Sequence, residues 1–185
     1  LIYMEEEGFI KSIKDGNPHD FELLVKKYQS AVFRLAMGMV HNKEDAEEIT
    51  QDVFISVYRS LKHFDHRSGF STWLYRISIN TSINFLRKKK RRGFWVSLSS
   101  ILNHPSGVAD NSAGSEDKEK EKGLADLINK LPDRQRVAFV LSKYEDLSQK
   151  QVAQVMRLTE GAVEQLLIRA KQNLRKKIQI TGMDA

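Results

Sequence analysis

The chain of 185 residues contains no cysteine. That absence removes disulfides, thiolate zinc sites and cysteine nucleophiles together. No apolar run approaches the roughly 18 residues needed to span a bilayer, and no signal peptide opens the sequence, so a cytoplasmic protein is expected. The first residue is Leu1, which makes Met4 a candidate natural start. Metal chemistry finds little support. His63 and His66 offer two ligands in one loop, a weak site better read as solvated histidines. Glu44, Glu48 and Asp52 lie along a single helix, whereas a two-metal nuclease needs carboxylates converging from several elements. No catalytic residue, cofactor or metal site is therefore assigned.

What the sequence does have is positive charge and helical period. Thirty Lys and Arg against 24 Asp and Glu give a formal net charge of +6, and the pI is about 9.4. Such a balance suits a nucleic acid or an anionic surface. The length allows one or two small domains, each with its own modest core.

The stretch from His63 to Arg92, HFDHRSGFSTWLYRISINTSINFLRKKKRR, ends in six consecutive basic residues. Phe70, Trp73, Leu74, Ile77, Ile83 and Leu86 recur at mostly helical intervals, with Ser71 or Thr72 as a cap. Trp73, Ile77, Asn80, Asn84 and Arg87 follow one another along adjacent turns. Rings beside cations are what single-stranded nucleic acid requires, since bases stack while phosphates pair with Lys and Arg. Each ring taken alone also reads as core. The basic run does not, because six like charges repel one another until a polyanion arrives.

Upstream, a short helix is predicted over residues 5–16 and a longer one from Pro18 or His19 to Val40, both core helices of a bundle. Asn42 then caps a helix over residues 42–62 whose first turns carry Glu44, Asp45, Glu47 and Glu48. Ala46, Ile49, Val53, Val57 and Leu61 form its buried stripe. The acidic face opposite, with Glu44, Glu48, Gln51 and Asp52, is either a docking surface for basic helices or a solvated face that compensates the helix dipole.

From Ser97 to Asp117 the chain is rich in Ser, Gly, Asn and Asp, carries Pro105 and loses its period. A linker of that length argues for two domains. Extended, it reaches about 60–70 Å, nearly two turns of duplex at about 34–36 Å each. Beyond it, one helix runs through Leu124, Leu127, Ile128 and Leu131 to Pro132, and Asp133 can cap the next. Ser148 caps a short helix with Val152, Ala153 and Met156, Arg157–Thr159 turn, and a longer helix follows with Val163, Leu166, Leu167 and Ala170. The pair reads as a helix-turn-helix or a plain αα-hairpin. Its basic tail, Arg169, Lys171, Arg175, Lys176 and Lys177, favours DNA. The fold class is all-α: two small helical domains joined by a flexible linker, at 1–95, 96–118 and 119–185, the last a helix-turn-helix domain.

Three stretches, DAEEITQDVFISVYRSL at 45–61, FSTWLYRISINTSINFLRKKKRR at 70–92 and LPDRQRVAFVLSKYEDLSQKQVAQVMRLTEGAVEQLLIRAKQNLRKK at 131–177, resemble in order and spacing a bacterial RNA polymerase sigma factor of the extracytoplasmic function (ECF) type. The resemblance implies a promoter-recognition subunit without catalysis. Asp45, Glu48, Gln51, Asp52 and Phe54 would then dock on the clamp helices of the polymerase β′ subunit. The loop His63–Ser71 and the following helix would read and open the minus-ten element around a flipped base. The residues assigned there are Phe64, Ser68, Phe70, Ser71 and Trp73, followed by Arg76, Asn80, Asn84, Arg87 and Lys88. Flipping costs a few kcal/mol, recovered by stacking and backbone contacts.

The same resemblance gives the second domain the duplex minus-thirty-five element, through Thr159, Glu160, Gly161, Glu164, Gln165, Ile168, Arg169 and Lys171, and a contact with the β flap. An anti-sigma partner, in many members membrane-bound, is implied as well. Ala162, Glu164 and Leu166 stand where the commonest family pattern has Thr, Lys or Arg, and Arg, and Asn84 stands where many members have Asp. An acidic residue can accept from cytosine N4 yet repels the backbone, so the minus-thirty-five sequence is the chain's own. The alternative reading is a helix-turn-helix regulator that acts without polymerase, but no dimerisation helix is visible and the acidic helix would go unexplained.

Overall fold

The computed structural model of the chain describes the backbone of residues 2–102 and 116–181, and side chains within 7–92 and 123–179. Among the described residues there are eight α-helices and no strand. They are α1 (Ile2–Lys14), α2 (His19–Val40), α3 (Lys43–Ser60), α4 (Phe70–Leu102), α5 (Glu116–Asn129), α6 (Asp133–Lys143), α7 (Gln149–Met156) and α8 (Glu160–Thr181), with a single 3₁₀ turn at Leu61–His63.

Local chemistry sets the boundaries. Asn42 accepts a hydrogen bond from the Asp45 amide at 2.8 Å, and Glu44 and Asp45 sit in the first turn of α3. One orphan amide is thereby satisfied and the helix dipole is met by negative charge. Ser148 and Gln151 form a reciprocal capping box at the start of α7. Thr159 accepts from the Ala162 amide at 3.2 Å and so opens α8. Between these two helices Arg157 takes a left-handed conformation, φ 54°, that closes α7.

Helices α1 to α4 bury Ile10, Leu24, Leu35, Met39, Ile49, Val53, Val57, Leu61 and Leu74 almost completely. Each side chain of this size gains roughly 1.5–3 kcal/mol from leaving water. On α4 the residues facing inward include Ser78 and Ser82, both fully buried, whose hydroxyls donate to the carbonyls of Leu74 and Ser78. Bonding back to their own helix satisfies them without a partner elsewhere.

The structure departs from the sequence expectations in three places. The apolar core is not divided in two: one cluster runs from Ile10 through α2–α4 into Val137, Val140, Leu141, Val152, Val155 and Val163. A second, small cluster of Leu127, Ile128, Leu131, Ala170 and Leu174 joins α5 to α8. The expected linker at 96–118 loses both ends to helix, since α4 continues to Leu102 and α5 begins at Glu116; the rest of it, 103–115, lies outside the described residues. Gly93 and the serines that follow weaken a helix without stopping it, whereas Pro105 removes an amide donor. Finally, α4 starts at Phe70 itself, ahead of both proposed caps, and Asp133 is the first residue of α6, its carboxylate bonded to Arg136 at 3.0 Å.

Candidate polymerase and nucleic-acid interfaces

Helix α3 turns its apolar stripe onto α2 and α4, which leaves Glu44, Glu48, Gln51 and Asp52 exposed together. Ile55 and Tyr58, 47% and 55% exposed, continue the same face. Glu48, Asp52 and Ile55 form one wall of a groove of about 420 Å³ whose other wall is Asn84, Phe85, Lys88 and Lys89 of α4. Asp45 sits at its end in an ion pair with Lys89. Gln51 faces a different groove, with Gln29, Ser30 and Phe33 of α2. Phe54 corrects the docking assignment: it is 8% exposed and belongs to the core. It supports α3 from beneath and offers no surface to a partner.

The loop between α3 and α4 is held by rings. Phe64 packs on Phe70 edge to face at 5.8 Å and on Trp73 at 5.1 Å, and Tyr28 of α2 meets Phe70 at 5.4 Å. Lys14 of α1 donates to the Phe64 carbonyl at 2.8 Å. With 4% and 3% exposure, Phe64 and Phe70 are core residues, as each ring taken alone reads in the sequence. Together with His66, Ser68 and Gly69 they wall a pocket of about 200 Å³. Burial decides that these rings shape the pocket and leave Ser68 half-exposed at its edge. Ser71 is half-buried outside it.

Further along α4, Asn84, Arg87 and Lys88 are exposed, whereas Arg76 is engaged. Its guanidinium donates to the carbonyls of Gln154 at 2.8 Å and Val155 at 3.2 Å, at the C-terminal end of α7, and to Ser68 Oγ at 3.4 Å. Trp73, Asn80 and Arg87 line a cleft of about 580 Å³ whose far wall is Asp133, Val155, Met156 and Arg157. The second domain thus closes over part of the proposed minus-ten face.

Two further contacts hold that closure, and the sequence reading found neither. In the loop after α6, Glu145 has a side chain only 1% exposed. Arg34 of α2 donates to it through Nε and Nη2, both at 3.2 Å, and Tyr75 Oη of α4 donates at 2.9 Å. Burial pushes the Glu145 carboxyl above its ordinary range, against the pull of the Tyr75 and Arg34 bonds. Tyr75 is driven far up by burial and by that carboxylate, so it stays a donor. At Gly38 of α2 a Cβ would lie 2.8 Å from Val140 Cγ1 and 3.0 Å from the Tyr144 ring. A glycine inside a helix, in the run AMGMV, was the available sign of close approach; nothing in the sequence distinguishes Glu145.

His41, at the left-handed C-cap of α2, lies in the same contact, with Nε2 at 3.2 Å from Tyr144 Oη. Burial lowers its pKa from the ordinary 6.5; Arg136 pushes the same way, while Asn129 and Asp126 oppose. A depressed folded value means that His41 contributes stability above about 6.5 and withdraws it as pH falls and the unfolded chain takes up the proton first. Glu145, shifted upward, behaves oppositely: its contribution is full at the acid end and declines as pH rises through the carboxylate range. The thermal midpoint of the protein is therefore expected to fall between pH 7.5 and 5.5, and to fall less in His41→Gln. An equal fall in both would remove His41 as the cause.

On α8 and at Thr159 just before it, all eight residues assigned to duplex contact are exposed: Thr159, Glu160, Gly161, Glu164, Gln165, Ile168, Arg169 and Lys171. Val163, Ala170 and Leu174 anchor the opposite side, and Asn173 donates to Gln135 of α6 at 2.8 Å. No group of three or more His, Asp or Glu among the described residues could hold a metal, and no described helix is long and apolar enough to cross a membrane.

Residues 24–92 match the pattern of Sigma-70 region 2, and residues 122–174 that of Sigma-70 region 4. The RNA polymerase sigma-H factor of Pseudomonas aeruginosa is 30% identical over 97% of this chain and 96% of its own. The ECF factor SigW of Bacillus subtilis is 31% identical over 92% and 95%. Among solved structures, CnrH in complex with the cytosolic domain of CnrY shares the fold with a TM-score of 0.68, at 22% identity over 96% of this chain and 97% of that one. The Bartonella quintana sigma factor RpoE bound to the anti-sigma factor NepR gives 0.60, at 23% identity over 87% and 98%. Both sigma regions, in order and carrying the surfaces described above, place this chain in the ECF sigma factors of the sigma-70 family, transcription initiation factors that are not enzymes.

Proposed function

We propose that this chain docks on core RNA polymerase through the acidic face of α3, reads a minus-thirty-five element as duplex with α8, and opens a minus-ten element with the loop 64–69 and α4. The observation that carries the reading is the α3–α4 groove, where Glu48 and Asp52 face Lys88 and Lys89. Basic helices of a polymerase suit the first wall and DNA phosphates the second, and no solvated helix pair needs both. In the minus-ten pocket a flipped base meets Ser68 at the rim while Phe64 and Phe70 set the walls. On α8, Arg169 and Lys171 take phosphate, and Glu164 and Gln165 face base edges, where Glu164 favours cytosine. An anti-sigma protein would cover these same surfaces in the cytoplasm; the Bartonella quintana relative is found bound to an anti-sigma factor.

Run-off transcription with purified core polymerase, on a fragment upstream of the protein's own gene, tests the assignment. A specific start is expected only when this protein is added. Binding to that DNA without binding to core would favour the polymerase-independent regulator instead.

A further inference from the structure

We infer that Glu7 of α1 helps to select the base held in the small pocket ahead of α4. Together with Ser68 it makes that pocket specific for a Watson–Crick edge carrying an amine beside a ring-nitrogen acceptor: cytosine or adenine, against thymine and guanine. The inference rests on the minus-ten assignment proposed above and adds to it what the pocket reads. The region 2 match covers residues 24–92, so α1 lies ahead of it, and its share in the pocket is a feature of this chain's own packing.

Three residues of α1, spaced by three and four, stand over the loop that leads into α4. Ile10, 1% exposed, is sunk in the core. One turn on, Lys14 donates to the Phe64 carbonyl at 2.8 Å. One turn back, Glu7 joins Phe64, His66, Ser68 and Phe70 around the pocket of about 200 Å³. Residues so spaced share one face of a helix, so the two anchored side chains fix where the third stands. The wall opposite is also set in advance. His66 takes a left-handed conformation, φ 58°, and its ring centroid lies 4.5 Å from that of Phe64. Such backbone is uncommon outside glycine and gathers at ligand-binding segments.

Charge then narrows what the pocket accepts. Glu7 is exposed, and among the described residues nothing pairs with its carboxylate. On a face that meets DNA this is the wrong sign for phosphate. A carboxylate only accepts hydrogen bonds, so it favours a donor on a base edge. Ser68 supplies the other half: its Oγ accepts from Arg76 at 3.4 Å, which leaves the hydroxyl proton to donate. An acceptor and a donor at one pocket match the amine and ring nitrogen that adjoin in cytosine (N4 and N3) and in adenine (N6 and N1). Thymine presents a carbonyl beside an N–H, the reverse order. Guanine has an N–H where the ring acceptor is needed. A mismatched edge leaves polar groups unpaired, which costs more than a matched bond contributes.

The test uses the full chain assembled on core polymerase. Its probe is a fluorescent single strand from the non-template minus-ten region of the run-off promoter. Each cytosine in turn is replaced by uracil and each adenine by hypoxanthine, which exchanges the amine for a carbonyl and the ring acceptor for an N–H. In the parent, one position is expected to lose at least about fivefold in affinity on this exchange. In Glu7→Ala the loss at that position should shrink to within about twofold, with every other position unchanged. Glu7→Gln, whose amide can turn to donate as well as accept, should likewise hold both forms within about twofold of each other.

A parent with no position whose sensitivity depends on Glu7 would overturn the inference. So would a uniform gain in affinity for every strand in Glu7→Ala with the sensitivity intact, the mark of a solvated carboxylate that merely repels phosphate. Run-off transcription separates this failure from a wider one. If the parent with core gives no transcript and retains no strand, the promoter assignment has failed and the inference falls with it. If strand and transcript are both obtained and Glu7 makes no difference, only the inference falls.

Discussion

Reversal of Glu48 and Asp52 to lysine is expected to weaken binding to core polymerase by at least about a hundredfold, because like charges placed across an interface cost several kcal/mol. Both side chains are exposed and neither makes an ion pair within the folded chain among the described residues, so folding should be untouched. Their positions on one wall of the α3–α4 groove make the loss a property of that wall. Gel-shift or fluorescence titration with purified core measures it, and the thermal midpoint checks the fold. Phe54→Leu, a change in the supporting core, should leave core binding within about threefold, since near volume-conserving swaps cost little. Full binding by the doubly reversed protein would move the docking surface off α3.

Phe70→Ala should cost about 3–5 kcal/mol of stability, the range for truncating a buried aromatic. The ring is 3% exposed and touches Tyr28, Phe64 and Trp73, so its removal opens a cavity beneath the loop that walls the small pocket. Chemical denaturation would register the loss directly. Phe70→Leu separates the two roles of the ring. As a wall of the pocket it can be replaced by leucine with most stability and promoter opening retained. If Phe70→Leu were stable yet unable to open promoter DNA, the ring would be a base contact after all and its burial would be relieved in the complex.

Much of the fold was legible because its signals are local. Asn42, Ser148 and Thr159 stand where helices begin, the apolar residues recur at three and four, and the turn at 157–159 appears where it was expected. The exposed faces of α3 and α8 follow from the same period, since fixing the buried stripe fixes its opposite. Burial of individual rings was legible only as the general expectation that a ring taken alone is core. Phe54, Phe64 and Phe70 carry the same side chain as any stacking platform, and only the arrival of α1 and α2 overhead decides their role. The interdomain contact was hidden more deeply, because Arg34, Tyr75 and Glu145 are far apart in sequence and unremarkable one by one. Pro105 and the serine-rich stretch spoke for separation and said nothing of whether the two domains would then meet.

One ion pair has a thermodynamic reach beyond its own strength. Lys89 belongs to the basic run and Asp45 to the acidic helix, and in the free protein each neutralises the other. Under the proposed assignment, a basic helix of polymerase that takes Asp45 releases Lys89 for phosphate, and a phosphate that takes Lys89 releases Asp45 for polymerase. Linkage makes the effect reciprocal, so each partner raises the affinity of the other by the same factor. Under that assignment selectivity for promoters and selectivity for polymerase share a hinge one ion pair wide, and neither DNA alone nor polymerase alone receives the full affinity of the chain.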